Sequence, residues 1–95
     1  MPLFVLTCDD HPGALERRMS VRTEHLAYVA KNVGMVRLAG PLLDDAGDMA
    51  GSLFIIEAAD RAAVEAFSAG DPYRVAGVFE RVEIRPWKVT VGAIA

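Results

Sequence analysis

Two short segments of this chain consist only of large apolar residues, and they restrict its possible folds more than any other feature. They are residues 3–6 (LFVL) and 53–56 (LFII). Because successive side chains of a β-strand point to opposite faces of the sheet, a strand without polar residues has to be covered on both faces. We therefore expect two central strands, each buried between two layers.

Helical spacing predicts two helical segments after the first strand. A short stretch covers residues 14–19, and a longer helix begins between Ser20 and Thr23, either of which could act as its N-cap. Gly34 should end this helix, because glycine readily adopts the left-handed conformation found at many helix C-termini.

A second strand and an acidic loop should follow. Residues 35–39, which are apolar except for Arg37, favour a strand that stops at Gly40-Pro41. Residues 44–51 are typical of a loop because they are acidic and contain glycine.

The second half of the chain repeats the alternation of strand and helix. After the apolar strand at residues 53–56, Asp60 should cap a helix that ends at Gly70, and Asp71-Pro72 should start a further helical turn. Charged and apolar residues alternate over residues 79–91 with a proline inside, which favours an edge strand.

The resulting order is strand, helix, strand, strand, helix, strand, within a single domain of residues 1–95. This order predicts an α+β, ferredoxin-like fold: a four-stranded antiparallel sheet with the helices on one face and the first and third strands in the centre. Two helices cover only one face of such a sheet. We therefore expect a second copy of the chain on the other face, giving a homodimer with a barrel-like core.

Composition excludes several classes of protein. Ten Lys and Arg against thirteen Asp and Glu give a net charge of −3, so the basic surface needed to bind nucleic acid is missing. A hydrophobic content of 53% indicates a folded chain, and a single cysteine excludes an internal disulfide. Residues 2–8 are apolar but lack a basic leader, so we expect neither a signal peptide nor a membrane span, and a cytoplasmic location.

His25 is the first candidate for chemistry. On a helical wheel it lies at the edge of the apolar stripe of the longer helix, near Arg22. If that helix starts near Thr23, the positive end of the helix dipole would favour a neutral imidazole, which is able to accept a proton. A boundary histidine bonded to the backbone or to water fits the same pattern.

The other candidates also have two interpretations. Arg22 could bind a substrate carboxylate or form a surface ion pair, and Asp71 could orient His25 or simply cap a helix. Ser52 could present its hydroxyl to a ligand, and Tyr73 could line a pocket or pack in the core.

The sequence gives little support for a metal site or a nucleotide site. Residues 8–11 (CDDH) contain metal-ligand types, but neighbouring residues point in different directions and a second set of ligands is missing. Cys8 is expected to be a buried thiol rather than a nucleophile, and the chain has no phosphate-binding glycine loop.

Several segments, spread over almost the whole length, resemble the YCII-related (YciI-like) family within the dimeric α/β-barrel group. They are residues 20–22 (SVR), 25–26 (HL), 38–41 (LAGP), 51–52 (GS), 71–73 (DPY), 76–78 (AGV) and 82–87 (VEIRPW).

The resemblance implies a ferredoxin-like subunit, a dimer and a His–Asp pair in a cleft, which corresponds here to His25 and Asp71. It also implies proton removal from a small oxygenated ring compound, because relatives include a dehydrochlorinase and the wider group includes muconolactone isomerase. We expect His25 as base, Asp71 as its orienting group, and Arg22, Ser52 and Tyr73 at the substrate, without metal or cofactor. A non-catalytic ligand-binding module and a purely structural dimer are the alternatives.

Overall fold

A computed structural model describes residues 1–93 as one antiparallel sheet and three helices; the last two residues of the predicted domain, 94 and 95, lie outside the described part. In chain order the elements are β1 (Leu3–Asp10), α1 (Leu15–Lys31), β2 (Val36–Leu43), β3 (Met49–Glu57), α2 (Arg61–Gly70), α3 (Pro72–Val75) and β4 (Phe79–Trp87).

The strands lie in the order β2-β3-β1-β4, and all three pairings are antiparallel. The two fully apolar segments therefore occupy the central strands β1 and β3, and β4 is an edge strand. The predicted α+β, ferredoxin-like fold is confirmed.

The helices cover one face of the sheet, where the core lies. Alternate residues of β1 point to this face, and they are opposite their partners in β3: Leu6 faces Phe54, and Cys8 faces Ser52. Val64 and Phe67 of α2 belong to the same core, as expected for the apolar side of an amphipathic helix. The core also contains Phe4, Ala14, Ile56, Ala58, Tyr73, Val78 and Phe79.

The opposite face of the sheet carries an apolar area on β1, β2 and β3, bordered by the charged side chains of β4, and no helix of residues 1–93 covers it. Val5 and Ile55 are paired at its centre, with Leu38 next to Ile55 on β2. Leu38 is 57% exposed and Trp87, at the end of β4, is 41% exposed. We refer to this surface, made by Leu3, Val5, Leu38, Leu42, Leu53, Ile55 and Trp87, as the open face.

The prediction of two separate helical segments before residue 34 was wrong. Residues 15–31 form one continuous helix, because Leu, Glu, Arg and Met in its first two turns are all good helix formers. Ser20 lies inside this helix, and its hydroxyl donates to the carbonyl of Arg17 instead of capping. The helix ends at Lys31, and Gly34 does not adopt a positive φ.

The predicted end of the second strand was also wrong. β2 continues through Gly40 and Pro41 to Leu43, and the loop before β3 is accordingly short. Because β2 is an edge strand, the missing N–H of proline is tolerated there.

The helix starts in the second half of the chain were predicted correctly. The side chain of Asp60 accepts a hydrogen bond from the amide of Ala63 at the start of α2, and the side chain of Asp71 accepts one from the amide of Tyr73 at the start of α3. Among residues 1–93, no helix combines the length and hydropathy that crossing a bilayer requires.

Candidate functional site

A cavity of about 260 Å³ lies between α1 and the β2–β3 side of the sheet. One end is polar, with His25 and Ser52, while apolar side chains of α1, β2 and β3 form much of the wall. Its lining residues are Arg18, Arg22, His25, Leu26, Val29, Ala39, Gly40, Pro41, Met49, Ser52, Phe54 and Tyr73.

His25 and Asp71 form a buried pair at this cavity. Nδ1 of His25 lies 2.8 Å from Oδ1 of Asp71, and the two residues are 9% and 1% exposed. Because a carboxylate oxygen only accepts hydrogen bonds, Nδ1 carries the hydrogen, and a neutral ring then keeps its lone pair on Nε2.

The fold brings these two residues together from positions 46 residues apart. His25 projects from the middle of α1, while Asp71 stands at the junction of α2 and α3 as the N-cap of α3. Oδ1 of Asp71 accepts from both Nδ1 of His25 and the amide of Tyr73, at 2.8 and 3.0 Å. The helix start therefore fixes the orientation of the carboxylate toward the imidazole.

Aromatic side chains hold the imidazole in place. Tyr73 is stacked on the His25 ring with 4.0 Å between ring centroids and 16° between planes, and Phe54 approaches it edge-on at 6.0 Å. These contacts leave the ring little freedom to rotate away from Asp71, as required of a group that has to meet a substrate in one orientation.

The predicted effect of the helix dipole on His25 was wrong. Since α1 starts at Leu15, His25 is the eleventh of its 17 residues, whereas the dipole acts mainly within the first turn. The contacts that surround the imidazole are those with Asp71, Tyr73 and Phe54.

Arg18 is a site residue that sequence reasoning missed. It is 2% exposed, and its Nε and Nη2 donate to the two carboxylate oxygens of Asp10 at 2.7 and 2.9 Å. Nη2 also donates to the hydroxyl of Ser52 at 2.9 Å, and the guanidinium carbon lies 4.3 Å from the centre of the Tyr73 ring.

Burial by itself lowers the pKa of Arg18, but the hydrogen bonds and charge of Asp10 outweigh it, and the pKa lies above its usual value. The signal that could have identified Arg18 was its spacing. Arg18, Arg22, His25 and Val29 follow at intervals of four, three and four, on one face of a continuous helix.

The other predicted binding residues all border the cavity. Arg22 is exposed at its mouth and forms no ion pair or side-chain hydrogen bond with residues 1–93, so its charge is available. Ser52 and Tyr73 are buried in its wall. Burial raises the pKa of the Tyr73 hydroxyl, although the charge of Arg18 opposes this effect.

Cys8 lies in the core behind the site. Burial, with a smaller contribution from the charge of Asp71, raises the pKa of the Cys8 thiol to about 12. A thiol with this pKa is almost entirely protonated at neutral pH and a poor nucleophile. In the part of the chain that the structure describes, no three His, Cys, Asp or Glu side chains are grouped so as to hold a metal ion.

Several proteins resemble this chain over most of its length, and three of them are the following. Protein YciI from Escherichia coli is 36% identical over 90% of this chain and 96% of its own length. An uncharacterized protein from Haemophilus influenzae is 32% identical over 90% and 95% of the two chains.

The third is a solved structure, the 5-chloro-2-hydroxyhydroquinone dehydrochlorinase TftG from Burkholderia phenoliruptrix in complex with 2,5-dihydroxybenzoquinone. It superimposes with a TM-score of 0.83 at 34% identity, covering 90% of this chain and 93% of TftG. The sequence model of the YCII-related domain matches residues 2–88. This chain therefore belongs to the YCII-related domain family.

Proposed function

We propose that this chain is an enzyme that removes a proton from a small oxygenated ring compound, with Nε2 of His25 as the general base. The observation that carries the proposal is the 2.8 Å contact between Nδ1 of His25 and Oδ1 of Asp71 beside a cavity that the imidazole borders. The contact holds the hydrogen on Nδ1 and leaves Nε2 for the substrate.

Asp71 is the positioning residue for this base. Its carboxylate keeps one tautomer of the imidazole and stabilises the imidazolium that forms when Nε2 takes a proton. Because the carboxylate is itself held by the amide of Tyr73, little reorganisation is needed during the reaction.

The cavity volume supports a guest with one ring. At roughly 30 Å³ per water molecule, 260 Å³ accommodates a substituted six-membered ring. The 2,5-dihydroxybenzoquinone bound by TftG has this size and carries oxygen substituents. The apolar wall suits the ring, and Ser52 and Arg22 are available for its oxygens.

Elimination is the reaction that the relationship to a dehydrochlorinase favours. His25 takes a proton from the substrate, chloride leaves the ring with its bonding electron pair, and the net loss is HCl. In an isomerisation the base would instead return the proton to another carbon. Neither reaction involves an external oxidant or reductant, so neither requires a redox cofactor.

The open face supports a second proposal, that two copies associate through it into a homodimer. Seven mostly aliphatic side chains lie on this surface, and a domain of this size rarely leaves such a patch in water. Face-to-face packing of two sheets would bury it.

A comparison of the two histidines tests the proposed base. With 5-chloro-2-hydroxyhydroquinone as substrate and chloride release as readout, we expect His25→Gln to lower kcat/KM by about 10²- to 10⁴-fold. His11→Gln is the matched control, because His11 lies at the surface beside Glu80 and should leave the rate unchanged.

Two other outcomes would contradict the proposal. Unchanged turnover in His25→Gln would remove the imidazole from the mechanism. Retention of 2,5-dihydroxybenzoquinone by the wild-type protein without chloride release from the chlorinated compound would favour a non-catalytic binding module.

A further inference from the structure

Arg18 borders the cavity and forms a buried ion pair with Asp10, which takes no part in the proposed proton transfer. Both side chains are at least 95% buried, and two hydrogen bonds join the guanidinium to the two carboxylate oxygens. A buried ion pair of this kind seldom stabilises a fold more than apolar side chains of equal volume would. Its position next to Ser52 indicates another role.

Ser52 has an unusual hydrogen-bonding state. Its hydroxyl oxygen accepts a hydrogen bond from Nη2 of Arg18 at 2.9 Å, and this is its only side-chain hydrogen bond within residues 1–93. A hydroxyl group has one hydrogen to donate and two lone pairs that accept. The guanidinium donates to one lone pair, and the hydroxyl donates to no acceptor among residues 1–93, so its hydrogen is left for a group inside the cavity and the O–H bond is polarised.

We propose that Arg18, held by Asp10, positions Ser52 as a hydrogen-bond donor to a negatively charged or carbonyl oxygen of the guest. Arg18 is the positioning residue, since Asp10 neutralises its charge and occupies two of its donor directions. This inference rests on the proposed function, because it assumes that an oxygenated ring enters the cavity.

The chemistry of proton removal requires such a donor. When a base takes a proton from an oxygenated ring compound, negative charge accumulates on a ring oxygen. A pre-oriented donor in a site with little water stabilises that charge more than it stabilises the neutral substrate. In this proposal His25 takes the proton, and the hydroxyl of Ser52 donates a hydrogen bond to the ring oxygen on which the negative charge accumulates.

The binding of 4-nitrophenol provides a direct test, since its phenol and phenolate forms absorb at different wavelengths. A pH titration of the bound probe measures how strongly the cavity prefers the phenolate. For the wild-type protein, we expect the bound probe to ionise at a lower pH than in water. In Ser52→Ala, we expect the apparent pKa of the bound probe to rise by about one to two units, a 10- to 100-fold loss of preference for the phenolate.

Two arginine variants separate positioning from structural support. Arg18→Lys replaces the planar fork by a single ammonium, which does not hold Asp10 and Ser52 in the same geometry, so the pKa of the bound probe should rise. Arg17→Lys is the matched control, because Arg17 is exposed and its side chain forms one hydrogen bond within residues 1–93, to the carbonyl of Gly77. It should leave the titration unchanged.

If Arg18→Lys does not fold, Ser52→Ala still decides, because it removes one oxygen and retains the Arg18–Asp10 pair. An equal pKa of the bound probe in wild type and Ser52→Ala would overturn the inference, as would the absence of 4-nitrophenol binding to the wild-type protein. Unchanged chloride release in His25→Gln, combined with the expected shift in Ser52→Ala, would disprove the base and leave the donor role of Ser52 intact.

Discussion

Asp71 illustrates, at the scale of single residues, how one side chain serves two neighbours. The sequence left open whether it caps a helix or orients His25, and the structure contains both contacts through the same oxygen. The cap was predictable because Asp-Pro is a local signal for a helix start. The contact with His25 spans 46 residues, so nothing in the residue pattern alone could establish it.

The charge of Asp71 can be separated from its two hydrogen bonds by Asp71→Asn. Asparagine is as good an N-cap as aspartate, so the free energy of unfolding should change by less than about 1 kcal/mol. Its amide oxygen can still accept from Nδ1 of His25, but the negative charge that stabilises the imidazolium is lost, so we expect turnover to fall by about 10²- to 10⁴-fold. Urea unfolding and steady-state kinetics measure the two effects. A variant with full turnover would show that the charge of Asp71 does not assist the base.

At the scale of elements, errors in predicted boundaries concealed part of the site. The central strands were predictable because an uninterrupted apolar run requires cover on both faces. The sequence predicted a break in α1 near Ser20, because serine is a frequent N-cap. In the structure the hydroxyl of Ser20 instead donates to the carbonyl of Arg17. This division put Arg18 in a different helix from His25, and the polar end of the cavity was therefore only partly predicted.

Matched serine and aspartate variants test the continuity of α1. If Ser20 lies inside the helix, Ser20→Ala should change the free energy of unfolding by no more than about 0.5 kcal/mol, because alanine is the better helix former. Asp60→Ala, at a true N-cap, should destabilise the protein by about 1 kcal/mol. Chemical denaturation of the two variants is the measurement. A loss for Ser20→Ala as large as that for Asp60→Ala would contradict a continuous helix.

At the scale of the whole molecule, the open face is the feature that a single copy of the chain leaves unexplained. Its apolar character was predictable, because every residue of the segments 3–6 and 53–56 is apolar. Side chains on both faces of the two central strands are therefore apolar. Which molecule covers it does not follow from these residues alone, since hydrophobic burial carries little directional information. The proposed homodimer is the arrangement that covers it with no second kind of chain.

A charge placed on the open face tests this association. Leu53→Lys would put an ammonium on the open face, two residues along β3 from Ile55, and a stable interface typically buries about 800 Å² per partner. We expect light scattering at micromolar concentration to give dimers for the wild-type protein and monomers for Leu53→Lys. Val33→Lys, on the exposed connection between α1 and β2, should remain dimeric. Monomeric wild-type protein would contradict the proposal.

The tautomer of His25 and its access to the guest can be measured directly by nitrogen-15 NMR of the imidazole. We predict that Nδ1 carries the hydrogen shared with Asp71, and that 2,5-dihydroxybenzoquinone changes the chemical shift of Nε2 much more than that of Nδ1. A hydrogen on Nε2 with Nδ1 bare, or an Nε2 signal that does not respond to saturating ligand, would contradict the assignment of His25 as the base.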